Sequence, residues 1–233
     1  MQILVIIPTY NEAANLEKLS REIHSQLPEA DILIVDDNSP DGTGELAERL
    51  RRKNQQIKLI RREKKSGLGS AYIRGFKYAL ANGYDFVFEM DADFSHNPQY
   101  LPDFLAEVYR YNLILGSRYI PGGEISNWGI FRKLLSSAAN LYARGVLGLP
   151  FHDLTGGFKC YSRRLLQDLD LDAIISEGYV FQIETTYRAW RKGYTIKEIP
   201  IIFKERKKGK SKISRGICLE AIWKVPLLRF LRV

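Results

Sequence analysis

Phe86-Val87-Phe88-Glu89-Met90-Asp91-Ala92-Asp93 is the stretch on which the fold turns. Its first five residues are mostly apolar and read as a buried strand, and the run stops at two carboxylates one residue apart. Side chains alternate along a strand, so Asp91 and Asp93 are expected to lean to the same side where it ends. In an open α/β sheet, ligands gather outside the carboxyl ends of the strands. Two hard oxygen ligands there suit Mg²⁺ or Mn²⁺, which can bridge to the phosphates of a substrate. The competing reading is a strand end followed by ordinary Asp-rich turn chemistry.

Working toward the N-terminus, residues 3–7 form a first apolar strand, and Leu16, Leu19, Ile23 and Leu27 follow at helical spacing with Asn11 as the expected N-cap. Residues 31–37 give a second strand that also ends in acids, Asp36 and Asp37. Asn38-Ser39-Pro40-Asp41-Gly42 is a turn, Leu46, Ala47 and Leu50 mark a helix, and residues 57–60 a third strand. Ser66-Gly67-Leu68-Gly69-Ser70 opens a helix; the two glycines serve a turn and a tight helix start, since a dinucleotide fingerprint needs a third. Strands alternating with helices over 1–116 predict a Rossmann-like α/β fold with a mostly parallel sheet, both acid pairs on one rim.

Toward the C-terminus, residues 102–111 read as a helix and 113–116 as a strand that brings Ser117-Arg118-Tyr119 to the same rim. Residues 121–127 are expected to be a mobile loop, 131–147 a long helix, 179–191 another, and 194–199 a strand. Between them, Asp153 is either a carboxylate base or the cap of a turn in Asp-Leu-Thr-Gly-Gly. His96, beside Asn97-Pro98, reads as structural. Residues 203–212 carry six bases and one acid around Gly209 and Ser211, as a solvated face or a flexible loop over a polyanion. Residues 217–233 are apolar with scattered Arg and Lys, interrupted by Pro226, and suit either a helix docked on the core or an amphipathic helix at an anionic membrane surface, the latter favoured by the basic surplus. The expected division is therefore a domain over 1–212 and a terminal helix over 213–233.

Thirty-five Lys and Arg against 27 Asp and Glu leave a formal charge of +8, which favours phosphates or an anionic surface. The bases are not interleaved with aromatics in a stacking pattern, so nucleic acid is not an expected partner. Two cysteines and three histidines exclude a disulfide scaffold and a Cys/His zinc centre. No apolar run reaches the roughly 18 residues of a membrane span, and no signal peptide is expected ahead of the first strand.

Seven stretches carry a resemblance: Pro8-Thr9-Tyr10-Asn11-Glu12; Asp36-Asp37-Asn38-Ser39-Pro40-Asp41-Gly42-Thr43; Gly67-Leu68-Gly69; Asp91-Ala92-Asp93-Phe94-Ser95-His96; Gly116-Ser117-Arg118-Tyr119; Asp153-Leu154-Thr155-Gly156-Gly157-Phe158; and Arg206-x-x-Gly209-x-Ser211-Lys212. Together they resemble glycosyltransferase family 2, and within it the dolichol-phosphate mannose synthase type, over nearly the whole chain. The resemblance implies a GT-A fold and inverting transfer of mannose from GDP-mannose to a dolichyl or other polyprenyl phosphate, for protein and lipid glycosylation. It implies that Pro8, Tyr10, Glu12, Val35 and Asp37 hold the nucleotide. Asp91 and Asp93 would hold Mg²⁺ or Mn²⁺ on the diphosphate, with Ala92 beside them. Arg118, Arg206 and Lys212 would complete the donor site, and Arg132 and Ser136 would receive the acceptor phosphate.

Many relatives have Gln two residues past the second Asp as a further metal ligand; Ser95 stands there in this chain. The residues assigned to catalysis are Asp91, Asp93, Arg118, Arg132 and Arg206. The resemblance also implies a chain peripheral on the cytoplasmic face of a membrane, with room for a membrane-spanning partner subunit. A UDP-sugar donor with undecaprenyl phosphate as acceptor keeps the fold and changes the substrates. A non-catalytic basic binding module on the same fold is the remaining alternative.

Overall fold

A computed structural model describes residues 1–174, 176–204 and 215–230, with only the backbone described over 215–221. The first half alternates β1 (Ile3–Thr9), α1 (Ala13–Gln26), β2 (Asp31–Asp36), α2 (Thr43–Lys53), β3 (Ile57–Arg61), α3 (Leu68–Ala81) and β4 (Phe86–Glu89). A 3₁₀ turn (Pro98–Tyr100) then leads into α4 (Leu101–Glu107), followed by β5 (Leu113–Ser117), β6 (Glu124–Ser126), α5 (Ile130–Leu147), β7 (Lys159–Ser162) and α6 (Arg163–Asp168). Last come α7 (Gly178–Arg191), β8 (Ile196–Pro200), β9 (Ile202–Lys204) and α8 (Arg215–Leu228).

The main sheet has the order β3-β2-β1-β4-β7-β5-β8. Every pairing in it is parallel except those of β7, which runs antiparallel to both β4 and β5. The chain winds one way from β1 through β2 to β3 and then returns to place β4 on the other flank of β1. Between the carboxyl ends of β1 and β4 the winding reverses, which is where an open α/β sheet leaves a crevice.

Helices cover both faces, and β1 shows how the alternation divides the core. Ile3, Val5 and Ile7 pack with Leu16, Ile34, Phe88 and Phe104 on one side. Leu4 and Ile6 pack with Leu33, Tyr72, Phe76 and Phe181 on the other. α3 can lie this close because Gly75 has no side chain, whose Cβ would stand 2.7 Å from Ile6 Cδ1.

Four expectations change. The strand β7 was hidden by a lysine: Lys159 is fully buried and lies opposite Glu89 across the β4–β7 pair. Its ammonium donates to the Gln182 carbonyl (2.6 Å), Thr186 Oγ1 (3.0 Å) and Thr185 Oγ1 (3.2 Å). Residues 121–127 are not a free loop, because β6 within them pairs in parallel with β9. Asn11 does not cap α1; it holds a left-handed φ of 63°, and the helix end is closed from 28 residues away, by Asp41 Oδ2 accepting the Ala13 N–H at 3.1 Å.

The fourth change is at Pro226, which does not interrupt α8; the helix runs on to Leu228. Proline lacks the N–H that would bond the Ile222 carbonyl, and Tyr142 Oη of α5 donates to that carbonyl instead, at 2.8 Å. α8 docks through Val225 and Leu228, which join the core, while Ile222, Trp223, Leu227 and Phe230 face outward. The 212/213 boundary lies outside the described residues. Among the described residues no helix is long and apolar enough to cross a membrane.

Candidate active site

The crevice between β1 and β4 is a pocket of about 360 Å³. Pro8, Tyr10 and Glu12 enter it from the end of β1, and Asp91, Ala92 and Asp93 from the end of β4. Arg118 reaches it from the end of β5, and Trp128 and Arg132 from the start of α5. Its floor includes Gly156, Gly157 and Gln182.

The two acids sit in a turn rather than on the strand, because β4 ends at Glu89. Strand alternation therefore does not aim them; the turn does. Phe94 adopts a left-handed φ of 62°, which reverses the chain so that Asp93 Oδ1 accepts the Ser95 N–H at 3.0 Å. His96 fixes the other end. Its Nδ1 accepts the Asp91 backbone N–H at 3.0 Å, and its ring stacks on Phe158 with centroids 5.1 Å apart. Burial pushes the His96 pKa down, although Asp91 and Asp93 pull the other way. A neutral imidazole whose Nδ1 accepts is what this position needs. His96 is structural, as its sequence context predicts.

Asp91 and Asp93 fit a divalent cation held jointly with a diphosphate, since such a site needs one or two carboxylates and completes its shell with phosphate oxygens and water. No cluster of three His, Cys, Asp or Glu forms a closed metal cage among the described residues. Ser95 lines the same pocket, and its buried Oγ has no hydrogen-bond partner there, which leaves an oxygen for that shell.

Arg118 is 6% exposed and held in a bidentate pair, its Nε and Nη2 lying 2.6 and 2.7 Å from the two oxygens of Asp153. Nη2 also donates to Thr155 Oγ1 at 2.9 Å. Asp153 is thereby spent: it accepts the N–H groups of Arg118 and Gly156 as well, and the turn-cap reading replaces that of a base. Arg132, on the first turn of α5, lies over the Trp128 ring at 3.9 Å from its centroid.

Three expected contacts are off the pocket wall. Val35 is fully buried in the core beside β1. Asp37 lies 3.1 Å from Arg62 Nη1 and accepts the Ser66 N–H at 3.2 Å; burial raises its pKa against the pull of Arg62. Ser136 is half-buried one helical turn beyond Arg132, with its carbonyl accepting from Asn140. Arg206 and Lys212 lie outside the described residues.

Sequence reasoning passed over Glu177, Trp128 and Gln182. Glu177 accepts the Gly69 and Ser70 N–H groups at 2.7 and 3.2 Å, so the N-terminus of α3 is occupied by a protein carboxylate rather than a phosphate. A Cβ on Gly67 would collide with it at 2.3 Å, which is why glycine opens this helix. Glu177 left no local signal, since its partners are more than 100 residues away.

The chain belongs to glycosyl transferase family 2, whose profile matches residues 4–170. It is a glycosyltransferase of GT-A-like architecture. Among similar proteins are the undecaprenyl-phosphate mannosyltransferase of Micrococcus luteus, 46% identical over 95% of this chain and 91% of its own length. The polyprenol monophosphomannose synthase of Mycolicibacterium smegmatis is also 46% identical, over 95% of this chain and 84% of its own. A solved structure with the same fold is glucosyl-3-phosphoglycerate synthase from Mycobacterium tuberculosis with Mn²⁺, UDP and phosphoglyceric acid. The match has TM-score 0.73 at 17% identity and covers all of this chain and 80% of that one.

Proposed function

We propose that the protein transfers mannose from GDP-mannose to a polyprenyl phosphate, with inversion at the sugar carbon, while peripheral on a lipid surface. The supporting observation is that the acid turn and Arg132 share one pocket, around which His96, Asp153 and Glu177 are each engaged in structural hydrogen bonds. His96 accepts the Asp91 N–H, Asp153 holds Arg118, and Glu177 holds the start of α3. A phosphate acceptor is already ionised at neutral pH and needs no base; a hydroxyl acceptor would need one. The mannosyl and polyprenyl-phosphate parts of the reading are supported by the two relatives at 46% identity.

Asp91 and Asp93, with Ser95 beside them, would hold Mg²⁺ or Mn²⁺, which when bound neutralises charge on the diphosphate as it leaves. Tyr10 and Glu12 flank the nucleotide end of the crevice. Arg132 orients the acceptor phosphate by paired N–H donors, held in place by Trp128. An acceptor phosphate oxygen forms the new bond to the sugar carbon as the carbon–oxygen bond to GDP breaks, and both electrons of that bond leave with GDP. Arg206 and Lys212, which lie outside the described residues, are proposed to offset charge on the leaving diphosphate. The outward apolar residues of α5 (Phe131, Leu134) and α8 (Trp223, Leu227) are proposed to rest against the lipid that presents the acceptor.

The test is a panel of GDP- and UDP-sugars with added Mg²⁺ or Mn²⁺, offered polyprenyl phosphate or the matching free polyprenol. The reading expects transfer from GDP-mannose to the phosphate alone. Preference for a UDP-sugar, or equal use of the free alcohol, overturns it.

A further inference from the structure

Resting on that reading, we infer that Gln182 reads a hydroxyl of the sugar being transferred and is a specificity-determining residue of the donor site. Gln182 is on the second turn of α7, lines the pocket and is 2% exposed. Neither its amide nitrogen nor its amide oxygen has a hydrogen-bond partner among the described residues. The amide lies close enough to the buried Glu89 carboxyl to interact with it, and neither group has a well-formed hydrogen bond to any partner among the described residues. A buried amide left unmatched on both atoms is uncommon in a folded protein and calls for an explanation.

The backbone that carries the amide is fixed. The Gln182 carbonyl accepts from Lys159 Nζ at 2.6 Å and from Thr186 Oγ1 at 3.0 Å, which pins this part of α7. Access to it is kept open by a glycine. A Cβ on Gly157 would stand 3.4 Å from Gln182 Nε2 and 3.6 Å from His96 Cε1, between the amide and the acid turn.

The chemistry of the amide selects its ligand. Phosphate oxygens only accept, whereas a sugar hydroxyl donates and accepts at one atom, as Oε1 and Nε2 together require. The amide lies on the Asp91 side of the crevice, through His96, where a diphosphate-linked sugar would sit. Failure to hydrogen-bond a hydroxyl leaves buried polar groups unpaired, which is how a site of this kind rejects the wrong sugar.

The experiment is a cycle of enzyme variants against donors lacking one hydroxyl each. Gln182→Leu and Gly157→Ala are compared with wild type for kcat/KM with GDP-mannose and its monodeoxy analogues, and for affinity toward GDP alone in Mn²⁺. Both variants are expected to lower kcat/KM for GDP-mannose by roughly 10- to 100-fold, the size of one buried hydrogen bond. Affinity for GDP should stay within about twofold of wild type. At one hydroxyl position the deoxy donor should be penalised in wild type but no further in Gln182→Leu, a non-additive pair. Gly157→Ala keeps the test decisive if the leucine variant misfolds, because its methyl meets only ordinary contacts. Loss of GDP affinity in parallel with kcat/KM, or strictly additive penalties at every hydroxyl, overturns the inference. Failure of the mannose reading would appear in wild type, and the cycle then runs on the sugar the enzyme does use.

Discussion

Two strands of the sheet, β2 and β4, lead into acid-bearing turns, and the structure arranges the acids of the two turns differently. After β2, Asp36 is fully buried and saturated: Oδ1 accepts from Thr9 Oγ1 (2.9 Å) and Ser39 Oγ (2.6 Å), and Oδ2 from the Ser39 N–H (3.1 Å). Asp41 closes the start of α1, and Thr43 Oγ1 accepts the Glu12 N–H at 2.9 Å. After β4, the Asp91 side chain is 36% exposed and, with Asp93, faces the crevice. Acids at a strand end are therefore not all turned toward the crevice. One turn spends Asp36 and Asp41 on its own hydrogen bonds and on the start of α1; the other turns its two acids toward the crevice.

The contrast predicts opposite phenotypes. Asp91→Asn or Asp93→Asn should lower steady-state mannosyl transfer by roughly 10²-fold or more, with the thermal melting temperature little changed. Either variant keeping near wild-type turnover would erase the distinction from one side. Asp36→Ala should do the reverse and cost about 2–3 kcal/mol in urea unfolding, since it strips partners from buried donors, while turnover per folded molecule holds. A catalytic collapse without destabilisation would erase the distinction from the other side.

A smaller effect is expected in β4 itself. Burial, opposed by Lys159, raises the Glu89 pKa to about 7 from an ordinary 4.5. A raised carboxyl pKa gives stability that is present below 4.5 and is lost as pH rises through 7. Glu89→Gln should therefore flatten that fall in a pH series of unfolding midpoints, and an unchanged pH profile would count against a buried titrating acid. The smallest effect is that of Asp41→Ala, about 1 kcal/mol for a lost helix-end bond. A measured cost well above that would mean that the hydrogen bonds Asp41 Oδ1 also accepts from the Thr43 N–H and hydroxyl carry more of the turn than the helix end does.

The parallel sheet and the rim were legible because apolar runs of strand length end in acids, glycines and prolines, all local signals. The acid turn was located correctly, but the reason given for its aim was not, because Phe94 takes a left-handed backbone that no periodicity announces. β7 escaped because a buried lysine interrupts its apolar run, and its meaning lies in Glu89 on another strand. The role of Asp153 was open in the sequence because its partner Arg118 is 35 residues away. Asn11 was misjudged for the same kind of reason: the group that closes α1 belongs to the neighbouring turn. What depended on pairing across the chain stayed hidden, and what depended on spacing did not.

The most direct test of the contrast between the two turns is calorimetric binding of GDP with Mn²⁺ present and then chelated. The account predicts that binding by wild type and by Asp41→Ala depends on the metal, and that Asp91→Asn and Asp93→Asn lose that dependence along with most of the affinity. Equally tight binding of GDP by wild type after chelation, or metal dependence intact in both acid-turn variants, would contradict it.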